Sequence, residues 1–322
     1  MAASRPTCPD GGARLPRLRR GGGQAGRMDL LIPWQAGLWR FLISNDTRLL
    51  AGVTDRSGDL ERLRTCLHPD ARWGRQARVA CGRGLVLAEQ IHGASLAAIE
   101  TTDPPANPIA GCDGLTTRVR GLALVIRTAD CLPIVVWDPI QEVVGLIHAG
   151  WRGLVSRLPM RVVSFVQRVY HSRPQDLWVG IGPAIRSCCY EVGKEFEPRF
   201  GSFVHPAPRK LRPFPRRLPR DPSPRNPERE RGTGWGGGAK CPEGFLPEAT
   251  PPLAGWGGVH TGRGRLTCDL IGCATQQLVA SGVRPWRVVD SGQCTSCEAV
   301  RWHSVRRDGE HGGRLLSFVM VT

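Results

Sequence analysis

Residues 128–153, TADCLPIVVWDPIQEVVGLIHAGWRG, specify the centre of this protein. Two apolar runs, PIVVW and EVVGLI, flank the short polar turn Asp138–Gln141. Strands joined by so short a turn form a β-hairpin, which brings their outer ends together. Because Cys131 precedes the first run and His148 ends the second, we expect this thiol and this imidazole to lie at the same end of the hairpin.

A third candidate ligand, His92, lies upstream in the segment EQIHG. Imidazole and thiolate are ligands that zinc prefers, and two histidines with one cysteine leave a fourth position open for water. The sequence therefore makes His92, Cys131 and His148 candidate zinc ligands and candidate catalytic residues. The alternative is that each is a hydrogen-bonded core or loop residue, since a chain with 8 His and 12 Cys contains many such trios by chance.

The net charge of +16 is concentrated in two segments. Residues 1–27 hold six arginines and one aspartate, and residues 205–265 hold twelve Lys or Arg and five Asp or Glu, which leaves +4 for the rest of the chain. Both segments are rich in Gly, Pro and Arg and lack apolar periodicity, so we predict a disordered basic tail, 1–27, and a disordered insertion, 205–265. Nucleic-acid binding through these segments is an alternative function, which predicts affinity that falls steeply with salt.

The remaining residues, 28–204 and 266–322, predict a single catalytic domain. Its class is α+β, with layered mixed β-sheets and helices and the zinc site at strand ends. Apolar positions at helical spacing within residues 154–171 predict a helix that Pro159 either begins or kinks. A second helix is predicted within residues 268–283, and strands are predicted at residues 177–185 and 315–321.

The cysteine count bears on the compartment and on a second site. Twelve cysteines, with neither a secretory signal nor a run long enough to span a membrane, predict reduced thiols in a cytoplasmic protein. Cys294 and Cys297, in CTSC, allow a metal or redox site. A structural zinc needs a second such pair, and Cys188 and Cys189 are adjacent in sequence, so we favour packing for CTSC.

Six segments together resemble one known family: EQIHG, GCDGLTT, RTADCLP, HAGWRG, GPAIRSCCYEVG and SVRRDG. In order and approximate spacing they are similar to the laccase-domain family, also called multicopper polyphenol oxidase-type, whose members act as purine nucleoside phosphorylases. The resemblance covers residues 87–197 and 266–322. It implies one zinc ion held by the histidine of Q-[VI]-H-G, the cysteine of A-D-C and the histidine of H-A-G-W-R-G, which here are His92, Cys131 and His148.

The resemblance also implies substrates. Purine nucleosides (adenosine, inosine, guanosine and methylthioadenosine) and phosphate are the expected partners, and deamination of adenosine is a possible further activity. A bacterial branch of the family is associated with peptidoglycan editing, which gives a hydrolase with the same zinc site as an alternative. The sequence leaves the oligomeric state open.

Phosphorolysis requires phosphate to be held against C1′ of the ribose. The planar fork of arginine donates two hydrogen bonds to phosphate at once, which makes Arg152, Arg306 and Arg307 candidates, with structural ion pairs as the alternative. Asp130, beside Cys131, is expected either to orient a ligand histidine from outside the metal or to cap a turn.

Two other kinds of metal enzyme, multicopper oxidases and zinc deaminases, have motifs that can be sought in the sequence. His, Cys and His match a blue-copper ligand set, but a multicopper oxidase also needs a trinuclear cluster fed by paired histidines, and the chain contains no H-x-H. The zinc-deaminase motif, H-x-E with P-C-x-x-C, is missing as well, so deamination would rest on a different site design.

Overall fold

A computed structural model of the chain describes residues 30–35, 37–67, 84–103, 106–207 and 265–322. The predicted tail, 1–27, and residues 208–264 of the predicted insertion lie outside the described residues. At the edges of that insertion the structure is regular: Val204–Pro206 is a strand, and Arg265 forms an ion pair with Glu191. The described domain therefore includes residues 205–207 and residue 265, which the prediction had assigned to the insertion.

Strands dominate the described residues and form three sheets. The strands are β1 (Leu31–Gln35), β2 (Leu38–Phe41), β3 (Leu49–Thr54), β4 (Gly84–Leu87), β5 (Leu96–Ile99), β6 (Gly114–Thr117), β7 (Leu122–Thr128), β8 (Leu132–Asp138), β9 (Val143–Ala149), β10 (Trp178–Ile181), β11 (Glu191–Val192), β12 (Val204–Pro206), β13 (Leu266–Cys268), β14 (Val288–Asp290) and β15 (Leu315–Val321). The first sheet has the order β1-β2-β3-β15-β7-β4 and the second the order β14-β10-β8-β9-β6-β5. The third, small sheet has the order β11-β13-β12, and it joins the two sides of the segment 208–264.

The predicted hairpin forms the middle of the second sheet. Strands β8 and β9 are antiparallel, in a register that runs from Leu132 opposite Ala149 to Asp138 opposite Val143. The turn is tight because the Asp138 carboxylate accepts the backbone N–H groups of Ile140 (2.8 Å) and Gln141 (3.1 Å). Every residue of both strands is buried, which explains why their sequences are continuous apolar runs rather than alternating ones.

Burial on both faces follows from a four-layer arrangement. Side chains of β8 alternate, so that Ile134 and Val136 face helices while Val135 and Trp137 pack against the first sheet. A third core cluster lies on the far side of the first sheet, under helix α1. The helices are α1 (Leu60–Cys66), α2 (Trp151–Val155), α3 (Leu158–Tyr170), α4 (Glu197–Phe200), α5 (Leu270–Ala280) and α6 (Val305–Asp308). The mixed α+β class is confirmed, and the layers run α1, first sheet, second sheet, then α3 with α5.

The predicted helix at 154–171 is two helices. Arg157 has a φ of 56°, in the left-handed region, and this residue breaks the chain between α2 and α3. Pro159 lies in the first turn of α3, where its missing N–H has no partner to lose. Pro159 therefore begins a helix rather than kinking one.

The other predicted elements agree more closely. Strand β10 lies within residues 177–185, α5 within 268–283, and β15 covers 315–321. Among the described residues, none of the helices has the length and apolar character that a membrane span requires.

Candidate active site

The three predicted ligands come together at one end of the central hairpin. Cys131 immediately precedes β8, and His148, opposite Pro133, is the penultimate residue of β9. His92 lies in the loop between β4 and β5. The ligand atoms of the three side chains all lie within 4.8 Å of one another, and the two imidazole rings meet edge to face with centroids 4.8 Å apart.

A fully buried carboxylate, Asp113, holds both histidines in place. Its Oδ1 lies 2.9 Å from Nδ1 of His148, which leaves Nε2 as the ring nitrogen that can serve the cluster. The same carboxylate accepts the backbone N–H groups of Ile91 (3.4 Å), His92 (2.9 Å) and Gly93 (2.6 Å). These bonds fix the loop at His92, whose φ of 60° lies in the left-handed region.

Sequence reasoning missed Asp113. The signal was available in GCDGLTT, where a lone acidic residue immediately precedes a strand that is otherwise uncharged. A charged residue in such a position is rarely fully buried without a partner, and its partner here is 35 residues away in the chain.

Hydrogen bonds in the cluster favour the charged forms of the side chains of Cys131, His148 and Asp113. Burial raises the pKa of the Cys131 thiol, but contacts with His148 and His92 outweigh it and bring that pKa down to about 7. Burial alone would lower the pKa of His148, but contacts with Asp113 and Cys131 outweigh it and raise that pKa to about 9. Desolvation acts to raise the pKa of Asp113, yet the contacts with His148 and Gly93 hold it below its ordinary value. The thiolate, which is the metal-binding form of cysteine, is thereby favoured, whereas His148 has to release the proton on Nε2 before that nitrogen can bind a metal ion.

Two local contacts explain further residues of the family-like segments. The Gln90 amide donates to the backbone carbonyl of Arg127 (2.6 Å) and accepts from its N–H (2.7 Å), which ties the His92 loop to the end of β7. A Cβ at Gly150 would lie 2.9 Å from Sγ of Cys131, so the glycine of HAGWRG leaves room for that sulfur.

Asp130 makes different contacts from those expected. Its carboxylate accepts the Thr295 hydroxyl (2.6 Å) and the backbone N–H of Arg306 (2.7 Å), whereas the carboxylate that contacts a site histidine is Asp113. Asp130 therefore anchors the C-terminal segment beside Cys131, a role that its position next to a ligand could not indicate.

The structure separates the three candidate arginines. Arg152, at the start of α2, is exposed, and its guanidinium stacks over Trp151 at 4.5 Å. Arg306 stacks over Tyr190 at 5.1 Å and donates from Nη1 to the carbonyl of Glu191 (2.7 Å). Both line the cleft beside the metal-ligand trio.

Arg307 was a candidate for binding phosphate, with a structural ion pair as the alternative, and the structure agrees with the alternative. Its side chain is only 3% exposed and forms an ion pair with Asp308. The remaining N–H groups donate to the carbonyls of Thr295, Ser296 and Trp302. A guanidinium with its donors occupied in this way has a structural role, and Arg307 does not line the cleft.

The cleft has a volume of about 970 Å³, near the upper end of the ~300–1,000 Å³ usual for small-molecule sites. Two arginines that sequence reasoning missed, Arg127 and Arg314, also line it. Arg127 was recognisable as the one charged residue in the apolar run LALVIRT. The lining residues are Ala88, Glu89, Gln90, His92, Pro108, Arg127, Ala129, Asp130, Cys131, His148, Trp151, Arg152, Tyr190, Val305, Arg306, Glu310 and Arg314.

The donor set fits a divalent metal ion that accepts nitrogen and sulfur ligands. His92, Cys131 and His148 offer three such atoms, and all three residues line the cleft, so the fourth coordination position would face substrate or water. Three protein ligands with one open position are typical of catalytic rather than structural metal sites.

Comparison with known proteins identifies the family of this chain. The family model described as "Multi-copper polyphenol oxidoreductase laccase" matches residues 64–215 and 248–322. The chain belongs to this family. It is 32% identical over 240 residues to "Purine nucleoside phosphorylase YlmD" of Geobacillus stearothermophilus, covering 73% of this chain and 71% of that protein.

Two further similarities support the assignment. "Adenosine deaminase RL5", from an unknown prokaryotic organism, is 29% identical and matches 71% of this chain and 72% of that protein. The crystal structure of YlmD from Geobacillus stearothermophilus matches with a TM-score of 0.63 and 26% identity, covering 91% of this chain and 99% of that one. The family assigned from the six sequence segments is confirmed.

Proposed function

We propose that this protein is a zinc-dependent purine nucleoside phosphorylase that acts on adenosine, inosine, guanosine and methylthioadenosine. The observation that carries the proposal is the cluster of His92, Cys131 and His148 beside a cleft lined by arginines. The relative named "Purine nucleoside phosphorylase YlmD" supports the same activity. Zinc, when bound, supplies a Lewis acid that polarises a donor atom of the substrate.

The reaction sets the tasks of the protein residues. An oxygen of phosphate forms a bond to C1′ of the ribose while the bond from C1′ to the purine nitrogen breaks. The electron pair of that bond leaves with the purine, which takes up a proton, and the products are the free base and ribose-1-phosphate. The site must therefore hold a phosphate anion against the sugar and accommodate a planar heterocycle.

Arg152 and Arg306 are the residues that we expect to hold phosphate. Each guanidinium lies over an aromatic ring, and a guanidinium that stacks by its face keeps its in-plane N–H groups available to an anion. In-plane N–H groups form the paired hydrogen bonds that phosphate oxygens accept. Because the rings fix both guanidinium groups before the anion arrives, little side-chain entropy is lost on binding.

Trp151 and Tyr190 also place apolar surface at the cleft, where the purine and ribose have to lose water.

Asp113 acts through His148 rather than on the substrate. By holding Nδ1 of His148 it fixes the ring so that Nε2 serves the cluster, and we class it as a positioning residue.

Deamination of adenosine is a second candidate activity, which the relative named "Adenosine deaminase RL5" favours. Activated water would replace phosphate as the attacking group and would attack C6 of the purine, so the same ligand trio serves both reactions. The two activities differ in product: phosphorolysis releases a base, and deamination releases ammonia.

The test is a product assay on the full-length protein loaded with zinc. With inosine as substrate, we expect hypoxanthine and ribose-1-phosphate in equal amounts, in a reaction that requires added phosphate. With adenosine, ammonia release measured beside adenine release separates the two activities. His148→Ala should abolish base release and lower the zinc content.

The proposal is wrong if zinc-loaded protein releases no base from any of the four nucleosides in the presence of phosphate. Turnover of peptidoglycan fragments by that same sample would then identify the hydrolase alternative. Base release that is unchanged in the absence of phosphate would instead indicate a nucleoside hydrolase.

A further inference from the structure

We infer that Cys188, Cys189, Cys294 and Cys297 form a second, structural zinc site. This site is separate from the His92–Cys131–His148 cluster and independent of the proposed activity. All four side chains are free thiols whose Sγ atoms lie within 4.8 Å of one another. They come from two segments that are more than a hundred residues apart, so the grouping is a product of the fold.

The sulfur–sulfur distances match one metal ion. Sγ of Cys188 lies 3.8 Å from that of Cys189, 3.6 Å from that of Cys294 and 3.5 Å from that of Cys297, and Cys189 and Cys297 are 3.3 Å apart. With zinc–sulfur bonds of about 2.3 Å, the edge of a tetrahedron of sulfurs is roughly 3.8 Å. These four distances lie within about half an ångström of that edge, and the remaining two sulfur pairs lie within 4.8 Å, so the thiols are already close to the positions of four tetrahedral ligands.

The backbone holds the two segments side by side. Ala184 forms a parallel bridge with Cys294, and the N–H of Thr295 donates to the Ala184 carbonyl (3.1 Å). Arg186, two residues before Cys188, forms a two-pronged ion pair with Asp290 at 2.9 and 2.7 Å. These contacts preform the site, so that a metal ion has little chain to order on binding.

The surroundings suit a closed tetrathiolate. Cys189 and Cys294 are buried while Cys188 and Cys297 are exposed, which gives an ion a way in from solvent. Four protein ligands leave no open position, which is typical of structural zinc. On binding, each thiol loses its proton to solvent, so four thiolates and one zinc ion together carry a net charge of about −2.

The proposed ion would brace one wall of the cleft. Tyr190, which lines the cleft and stacks with Arg306, directly follows Cys189. Thr295, between the two cysteines of CTSC, donates to the Asp130 carboxylate beside Cys131. Loss of the ion should therefore loosen this wall without removing any ligand of the first cluster.

Metal analysis of the full-length protein, purified in the presence of a thiol reductant, tests the inference. We expect about two zinc ions per chain in the wild type, and one each in Cys131→Ser and in Cys297→Ser. Cobalt substitution of Cys131→Ser should give the intense visible bands and the sulfur-to-metal charge transfer of a tetrahedral tetrathiolate, and Cys297→Ser should lose that spectrum. Chelation should lower the thermal midpoint of Cys131→Ser and leave the midpoint of Cys297→Ser less affected.

Three results would overturn the site. One is a Cys131→Ser protein that folds but holds no zinc. Another is intact-mass evidence for a disulfide between the two segments in reduced, metal-replete protein, which would make the cluster a redox centre. The third is iron in place of zinc. If Cys297→Ser does not fold, thiol counting on Cys131→Ser still decides, because in that protein four thiols must be blocked by metal and become reactive when a chelator removes it.

Discussion

Two sulfur-containing clusters differ in the number of ligands that the fold supplies. The first places two imidazoles and one thiol beside a cleft of about 970 Å³, and the second groups four thiols at a bridge between two loops. Three donors leave a coordination position for substrate, whereas four donors close the shell. The number of donor atoms, more than the presence of cysteine, therefore distinguishes a cluster suited to a catalytic metal ion from one suited to a structural metal ion.

The largest effect is expected from Cys131→Ala. Removal of this ligand should take the metal from the first cluster, and a loss of about 4 kcal/mol of transition-state stabilisation lowers kcat roughly a thousandfold. Zinc content and phosphorolysis measured on one sample check the prediction. Cys66→Ala, which changes a thiol on the far side of the first sheet, is the control and should retain both properties. An active Cys131→Ala protein with the zinc content of the wild type would contradict the assignment of the first cluster as the catalytic metal site.

The next effect concerns Asp113. We expect Asp113→Asn to weaken metal binding or activity by about 10- to 100-fold, as is usual when the outer partner of a ligand histidine is changed. Asp130→Asn is a matched control, since this carboxylate is also buried and contacts no site histidine in the described part of the chain. Zinc affinity by competition with a chelator dye is the measurement. A larger loss in Asp130→Asn than in Asp113→Asn would contradict the geometry.

Arginine substitutions should separate binding from stability. Arg152→Ala should raise the KM for phosphate about 10- to 100-fold, because a charge-assisted hydrogen bond contributes about 1.5–3 kcal/mol, and should leave folding unchanged. Arg307→Ala should instead lower the free energy of unfolding by about 1–3 kcal/mol, because three backbone carbonyls lose a buried donor while Asp308 keeps its ion pair with Arg56. Phosphate titration and chemical denaturation of both variants provide the check. A normal thermal midpoint with a raised phosphate KM in Arg307→Ala would restore its predicted role.

The smallest effect is expected from His303, which lies outside both clusters. It sets the pH dependence of stability against which any effect of acid on the clusters can be compared. Burial, together with the nearby charge of Arg56, lowers the pKa of His303 to about 4. Between its ordinary pKa and this value, the unfolded chain binds a proton that the folded chain refuses, so the free energy of unfolding falls as pH falls. His303→Gln should flatten that slope slightly in denaturation of metal-free protein from about pH 7 to about pH 5. An identical slope in the variant would assign the acid sensitivity elsewhere.

Local pattern was sufficient for the hairpin and for the ligand trio. The runs PIVVW and EVVGLI with a four-residue polar turn allow little besides an antiparallel pair, and the pair places Cys131 near His148. The position of His92 followed from ligand chemistry and from the family resemblance. Pattern was insufficient at Pro159, because periodicity does not distinguish one helix with a kink from two helices joined at a left-handed residue.

Contacts between distant segments accounted for the remaining differences. Arg306 and Arg307 are neighbours in a short helix and point in different directions, one to the cleft and one into the protein. No sequence pattern distinguishes the two arginines, because the direction of Arg307 is set by its contacts with Asp308 and with backbone carbonyls of residues 295–302. In the same way, adjacent Cys188 and Cys189 match no metal-binding spacing until the bridge at Ala184 sets CTSC beside them.

By itself, the sequence determined the strands, the turn and three of the donor residues, because each depends on residues that are near in the chain or on the chemistry of one side chain. Only the tertiary structure decided which carboxylate holds His148, which arginine meets the cleft and how many thiols share a site. These outcomes depend on directions and distances between segments far apart in the chain, and burial then fixes them, since a polar group removed from water has to find its partner within the fold.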